Sequence, residues 1–168
     1  DHVDSYVLHG PFTRRGLTAS DWEVWTTMEE LFAVGKSRIL GVSNVNAEQL
    51  SEFCARAKTK PMLVQNRCYA IQGWDKEVRD ICKTEGIIYQ GFSLLTANTG
   101  VLQDPLVKAI AGKLGATAAQ VIFRFSMLIG MLPLTGTTSA RHMKEDLEAE
   151  KLSLLDEEVA AIESLVAR

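Results

Sequence analysis

The sequence predicts an α/β fold built on a parallel sheet, on three observations. Ile39, Leu40 and Val42 make a short apolar run inside R-I-L-G-V-S-N, Arg38 to Asn44, which is the pattern of a buried strand. A helical stretch closed by Gly35 precedes this run and another opened by Asn46 follows; helix, strand, helix is the local order of a parallel sheet. Apolar runs with polar carboxyl ends recur at Met62 to Asn66 and Ile87 to Ser93, and Met131 to Leu134 runs into the polar turn Thr135 to Ser139. Their spacing is near the roughly 30 residues of a βαβ unit. No G-x-G-x-x-G follows any of these strands, which argues against a Rossmann dinucleotide fold. An incomplete (β/α)8 TIM-type barrel with about five parallel strands fits better: a full barrel takes about 250 residues, and the 168 here supply roughly five of eight units. Ligands of such sheets bind outside the carboxyl ends of the strands, so Ser43 and Asn44 are the first place to look for chemistry.

In chain order, Val3 to His9 reads as a strand with Val3, Ser5, Val7 and His9 on one face and Asp4, Tyr6 and Leu8 on the other. Gly10-Pro11 stops it, and Phe12 to Ala19 is a polar loop. Ser20-x-x-Glu23 has capping-box spacing before Trp22, Trp25, Met28, Leu31 and Phe32 at helical intervals. Asn46-x-x-Gln49 opens a helix whose Leu50, Phe53, Cys54 and Ala57 repeat with helical period, so Cys54 reads as core. Further helices are expected over Asp75 to Thr84, Asp104 to Leu114, after the capping box Thr117-x-x-Gln120, over Ala140 to Glu148 and over Leu154 to Val166.

A content of 46% hydrophobic and 23% charged residues suits one domain spanning residues 1–168. A net charge of −3 gives no electrostatic reason for a nucleic-acid or anionic-membrane partner. The longest apolar stretch, Phe125 to Leu134, is broken by Ser126, Gly130 and Pro133 and falls short of the roughly 20 residues of a spanning helix. Three cysteines, Cys54, Cys68 and Cys82, form no C-x-x-C, which points to free thiols in a reducing cytoplasm. His2, His9 and His142 are too scattered to suggest a metal cluster. The chain begins with Asp1 and its first residues already read as a strand, so a preceding segment is expected.

The runs D-H-V-D-S-Y-V-L-H-G-P, W-x-x-M-E-E-L-x-x-x-G-K-x-R-x-L-G-V-S-N, Gln65, G-F-S-L-L and A-Q-V-I-F-R-F occur in that order. Through them the chain, from Asp1 to Arg168, resembles the aldo-keto reductases. The resemblance implies strands four to eight of a (β/α)8 barrel and hydride transfer from NADPH to an aldehyde or ketone carbonyl. By position, it implies that His9 orients and polarises that carbonyl and that Ser43, Asn44 and Gln65 hold the nicotinamide carboxamide. Phe92 stands where a tyrosine usually stacks on the nicotinamide ring, a role an aromatic face serves without a hydroxyl. Ser93 and the loop to Leu102 correspond to pyrophosphate contacts. The turn from Thr135 through Gly136 and Thr137 to Ser139, with Arg141, corresponds to the adenosine 2′-phosphate site, and a helix N-terminus suits an anion.

The departures carry expectations of their own. The family's catalytic tyrosine, lysine and aspartate belong to earlier strands, so His9 is the one of four active-site residues matched, and this chain alone is expected to be inactive. Neither Tyr6, on the face opposite His9, nor Tyr69, past its strand, is expected to substitute. The usual lysine of the 2′-phosphate turn is replaced by Thr135 or Gly136, and Arg141 or His142 takes the later basic position. NADH therefore stands beside NADPH, with binding weak or absent in this chain alone. Gly10 replaces a common tryptophan, which enlarges the substrate side. On residue chemistry alone Ser43-Asn44 also reads as a turn and Phe92 as core, and the alternative function is a non-catalytic half-barrel binding or assembly module. The open first and last strands, with Val7, Val42, Val64 and Leu132 uncovered, lead to the expectation of a homodimer.

Overall fold

The computed structural model describes residues 1–165. They form an α/β fold with strands β1 (Val3–Leu8), β2 (Ser37–Ser43), β3 (Leu63–Arg67), β4 (Ile88–Phe92) and β5 (Met131–Pro133), and β1, β2 and β3 pair in parallel. The chain divides into two compact units, Asp1–Asn66 with Glu77–Gln90, and Arg67–Lys76 with the residues from Gly91 on.

In the first unit the helices are α1 (Ala19–Ala33), α2 (Ala47–Arg56) and α3 (Lys76–Glu85). Thr18, two residues before the expected Ser20, caps α1. Its hydroxyl accepts from Asp21 N, and Asp21 Oδ2 accepts from Thr18 N at 2.7 Å. The earlier box wins because Asp21, 1% exposed, also receives the Phe12 N–H on Oδ1 at 2.9 Å and so closes the preceding loop. Burial raises the Asp21 carboxyl, but the hydrogen bonds from Thr18 and Phe12 outweigh it and hold the group below the ordinary aspartate value. The Asn46–Gln49 box opens α2 as the sequence predicts.

Register decides which strand residues share a face. Val7, Gly41 and Leu63 pair across the sheet, with Ser43 and Gln65 two residues further along; Leu8, Val42 and Val64 alternate to the other face. Val42 and Val64 are fully buried, as are Leu40 and, from α1 and α2, Trp25, Leu50 and Phe53. The Trp22 and Trp25 rings lie 5.4 and 5.0 Å from that of Phe53. The expectation that Val42 and Val64 stand uncovered is thus corrected: they face the helix side, where burial stabilises each by roughly 1.5 to 3 kcal/mol. Leu132 is 51% exposed and Val7 half-buried, and on the edge strand β1 Val3 and Tyr6 are exposed.

The second unit contains the end of β4, β5, and helices α4 (Thr99–Gln103), α5 (Pro105–Leu114), α6 (Ala118–Leu128), α7 (Ala140–Glu148) and α8 (Asp156–Glu163). Leu134 N donates to Gly91 O at 2.8 Å, and Cys68 N to Phe92 O at 3.1 Å. Trp74, fully buried, meets the Phe125 ring edge-on at 4.9 Å and donates from Nε1 to Ile162 O. The helices differ from the sequence prediction in three places. Ala70–Asp75 is a 3-10 turn with Trp74 and Asp75 at positive φ, so α3 starts at Lys76. The short α4 has no side-chain cap and was not foreseen. The last helix begins at Asp156, where Asp156, Glu157 and Glu158 fill the first turn and favour the positive helix end; Val166 lies outside the described residues.

Candidate functional site

The carboxyl ends of β1, β2 and β3 bring four of the expected residues together in the first unit. Asn44, just past β2, has φ +54°, a left-handed conformation that asparagine tolerates better than most residues. Its Nδ2 donates to His9 O at 2.8 Å and to Ser43 Oγ at 3.1 Å. Ser43 Oγ in turn donates to Gln65 O, which also receives the Asn44 N–H. The Ser43 proton is therefore committed within the protein, and its hydroxyl ties β2 to β3. Gln65 Nε2 donates to Gln90 Oε1 at 3.0 Å. Two side-chain carbonyl oxygens, Asn44 Oδ1 and Gln65 Oε1, accept no hydrogen bond among the described residues. A pair of acceptors is the complement of a primary amide NH2. His9 is exposed.

The backbone beneath this cluster is fixed by buried amides. Asn66, 5% exposed, accepts from Val45 N and donates to Val45 O at 2.7 Å. Gln49, the capping partner of α2, also donates from Nε2 to Thr13 O and Gly16 O at 2.9 Å, and Asn46 Nδ2 donates to Arg14 O. One helix start thus holds the loop after β1. The box was legible in the sequence; its reach across more than thirty residues was not.

In the second unit Phe92 is half-buried at the end of β4 and Ser93 follows with φ +58°. Non-glycine residues in this region are strained and collect at ligand sites. Ser93, Leu94, Thr135 and Gly136 line a cleft of about 240 Å3. Thr135, Gly136, Thr137 and Arg141 line a second, of about 330 Å3, with His142, Glu145 and Asp146. Leu102 is half-buried in α4 and lines neither. Arg141 Nη1 donates to Glu145 Oε1 at 2.9 Å, and Arg141 Nη2 lies 3.0 Å from His142 Nε2. Thr135 Oγ1 donates to Asp146 Oδ2 at 3.1 Å, and Thr137 Oγ1 accepts from Ser139 N. Arg141 is thus paired with Glu145, while Asp146 accepts from Thr135; neither carboxylate was singled out from the sequence. Glu145 stands at i+4 from Arg141 on α7, and that spacing was the available signal for it. Buried Asn98 fixes the neighbouring loops: Oδ1 accepts from Ala70 N at 2.7 Å, and Nδ2 donates to Cys68 O and Leu94 O.

Among the described residues no group of His, Cys, Asp and Glu could hold a metal ion, and no single helix is long and apolar enough to cross a membrane. The family model for aldo/keto reductases matches residues 1–167. An aldo-keto reductase of Mycolicibacterium vanbaalenii is 28% identical over 165 residues, covering 98% of this chain and 57% of its own length. Glyoxal reductase of Bacillus subtilis matches with the same figures, and 3-alpha-hydroxysteroid dehydrogenase of Rattus norvegicus is 27% identical over 192 residues, covering 98% and 59%. A crystal structure of an aldo-keto reductase enzyme from a Medee basin deep-sea metagenome library superposes with a TM-score of 0.88 at 20% identity, covering 100% of this chain and 61% of that one. This chain spans just over half the length of these curated relatives.

Proposed function

Because the chain belongs to the aldo/keto reductase family, we propose that it is the cofactor-binding part of a barrel reductase, a single domain that holds a nicotinamide nucleotide for reduction of aldehydes or ketones. The observation that carries this reading is the cluster at the ends of β1 to β3, where two acceptors unpaired among the described residues, Asn44 Oδ1 and Gln65 Oε1, stand on a backbone tied by Ser43. They suit the NH2 of a nicotinamide carboxamide. The reduced nicotinamide, when bound, supplies the hydride. His9 donates a hydrogen bond to the substrate carbonyl and orients it, Phe92 offers a ring face to the nicotinamide, and Ser93 with the segment to Leu102 meets the pyrophosphate. Thr135, Gly136, Thr137 and Arg141 hold the adenosine end. There Glu145 pairs with Arg141 and Asp146 adds a second carboxylate to the cleft, which favours little discrimination between NADPH and NADH.

His9 is the one matched member of the family's four active-site residues, so this chain alone turns over poorly for want of a positioned proton donor. No disulfide joins its three buried cysteines, which suits a reducing cytoplasm. Exposed apolar residues on β1 and β5 favour self-association of the isolated chain as a homodimer, read by light scattering across a dilution series. Titration calorimetry with NADPH and NADH tests the cofactor reading: weak binding of both within about tenfold is expected. Binding of neither overturns the reading, and a large NADPH preference overturns the role given to Glu145 and Asp146. Steady NADPH-dependent aldehyde reduction, lost on His9→Ala, would overturn the expected inactivity.

A further inference from the structure

We infer that Gln90 is a positioning residue, which fixes the amide of Gln65 so that its oxygen is the atom left to a ligand; the inference rests on the cofactor reading above. Gln90 is the only polar, hydrogen-bonding amide in the run I-I-Y-Q-G-F, residues 87–92. Alternation along β4 places Ile88 and Gln90 on one face and Tyr89, 2% exposed, on the other. A half-buried amide on such a strand needs a partner, and Gln65, itself half-buried, is that partner at 3.0 Å.

The terminal torsion of a glutamine is broad and two-fold, so an untethered amide presents oxygen or NH2 at nearly the same place. Donation from Gln65 Nε2 to Gln90 Oε1 removes that ambiguity. The backbone of Gln65 is fixed as well, because its carbonyl receives both Ser43 Oγ–H and Asn44 N–H. β2 therefore sets the place of Gln65, and Gln90 on β4 sets which end of its amide is an acceptor. An acceptor pairs with a carboxamide NH2 and not with a methyl group in the same position.

The test titrates the wild-type chain, Gln90→Glu and Gln90→Leu with NADH and with reduced 3-acetylpyridine adenine dinucleotide, in which a methyl replaces the carboxamide NH2. Wild type is expected to bind NADH about five- to a hundredfold more tightly than the analogue, the worth of two neutral hydrogen bonds, to Asn44 Oδ1 and Gln65 Oε1. Gln90→Glu keeps an acceptor toward Gln65 Nε2 and is expected to retain that ratio. Gln90→Leu removes it and is expected to lower the ratio by about two- to tenfold, the worth of one neutral hydrogen bond, leaving the share that Asn44 Oδ1 supplies. Gln90→Ser, too short to reach Gln65, is expected to behave as the leucine variant and stands in for it if that protein does not fold by circular dichroism. An unchanged ratio in the leucine or serine variant overturns the inference alone, and a ratio near one in wild type overturns the acceptor role given to Asn44 and Gln65 together with the inference. Failure of the wild-type chain to bind either nucleotide overturns the cofactor reading, and this inference with it.

Discussion

Gly41→Ala tests whether the spacing of β2 and β3 holds the site. A Cβ at Gly41 would lie 2.9 Å from Leu63 O, 3.0 Å from Leu63 Cδ2 and 3.2 Å from Val7 Cγ2. The first of these is backbone, and it yields only if the strand moves. A Cβ at Gly91 meets the Met131 sulfur at 3.0 Å, with Leu94 Cδ2 and Cys68 Cβ beyond 3.4 Å, and a thioether at the end of a flexible side chain gives way easily. Neither glycine has positive φ, so alanine at either place gains about 0.4–1 kcal/mol by restricting the unfolded chain. Overpacking against backbone costs about 1–3 kcal/mol. Gly41→Ala is therefore expected to be about 1–2 kcal/mol less stable than wild type, a fall of roughly 2–8 °C in Tm for a chain of this size. Gly91→Ala is expected within about 0.5 kcal/mol. Two residues beyond Gly41, Ser43 Oγ bridges to Gln65 O, so widening the pair at Gly41 also weakens nucleotide binding. Urea unfolding followed by tryptophan fluorescence gives the stabilities, and calorimetry the binding. A Gly41→Ala protein as stable as wild type, or less affected than Gly91→Ala, would refute the reasoning.

Further outcomes follow from single groups. Because the fold holds Asp21 below its ordinary value of 3.8, its carboxylate contributes fully above that value and its contribution fades as pH falls through the lower folded value. The stability deficit of Asp21→Asn, about 1–2 kcal/mol near neutrality, is expected to shrink in acid, and an unchanging deficit in acid-titrated melts would count against it. At Asn44, with φ +54°, alanine is expected to be about 1 kcal/mol less stable than glycine, since glycine adopts this conformation without a Cβ penalty; thermal melts ranking them the other way would show that the turn relaxes. Burial and the charge of Glu85 push the Cys54 thiol up against the lowering effect of Lys60. Its alkylation by iodoacetamide is expected to be at least about tenfold slower in the native than in the urea-unfolded chain, measured by mass spectrometry, and equal rates would contradict its burial.

Local signals in the sequence carried far into the fold. The boxes Asn46–Gln49 and Thr117–Gln120 open α2 and α6 where they stand, because a capping box is complete within four residues. Two such boxes compete near residue 20, and the sequence could not show that the Phe12 N–H gives Asp21 its advantage. The position of His9, Ser43, Asn44 and Gln65 at strand ends was legible from apolar runs ending in polar residues. Which face each neighbour takes was not: Val42 and Val64 lie under the helices only because of the register that pairs Leu8, Val42 and Val64. Gln90 and Asp146 escaped notice for a related reason. Their importance lies in bonds to Gln65 and Thr135, 25 and 11 residues away along the chain, which no local pattern encodes.

The amide of Asn98 holds Ala70 N, Cys68 O and Leu94 O at once. The shape of the two loops it joins is thereby delegated to one residue that does not face solvent. Ile71, Gln72 and Thr96, exposed on those loops, are relieved of that duty. They form a surface that can be rewritten, by drift or by an engineer, while the turns beneath keep their course.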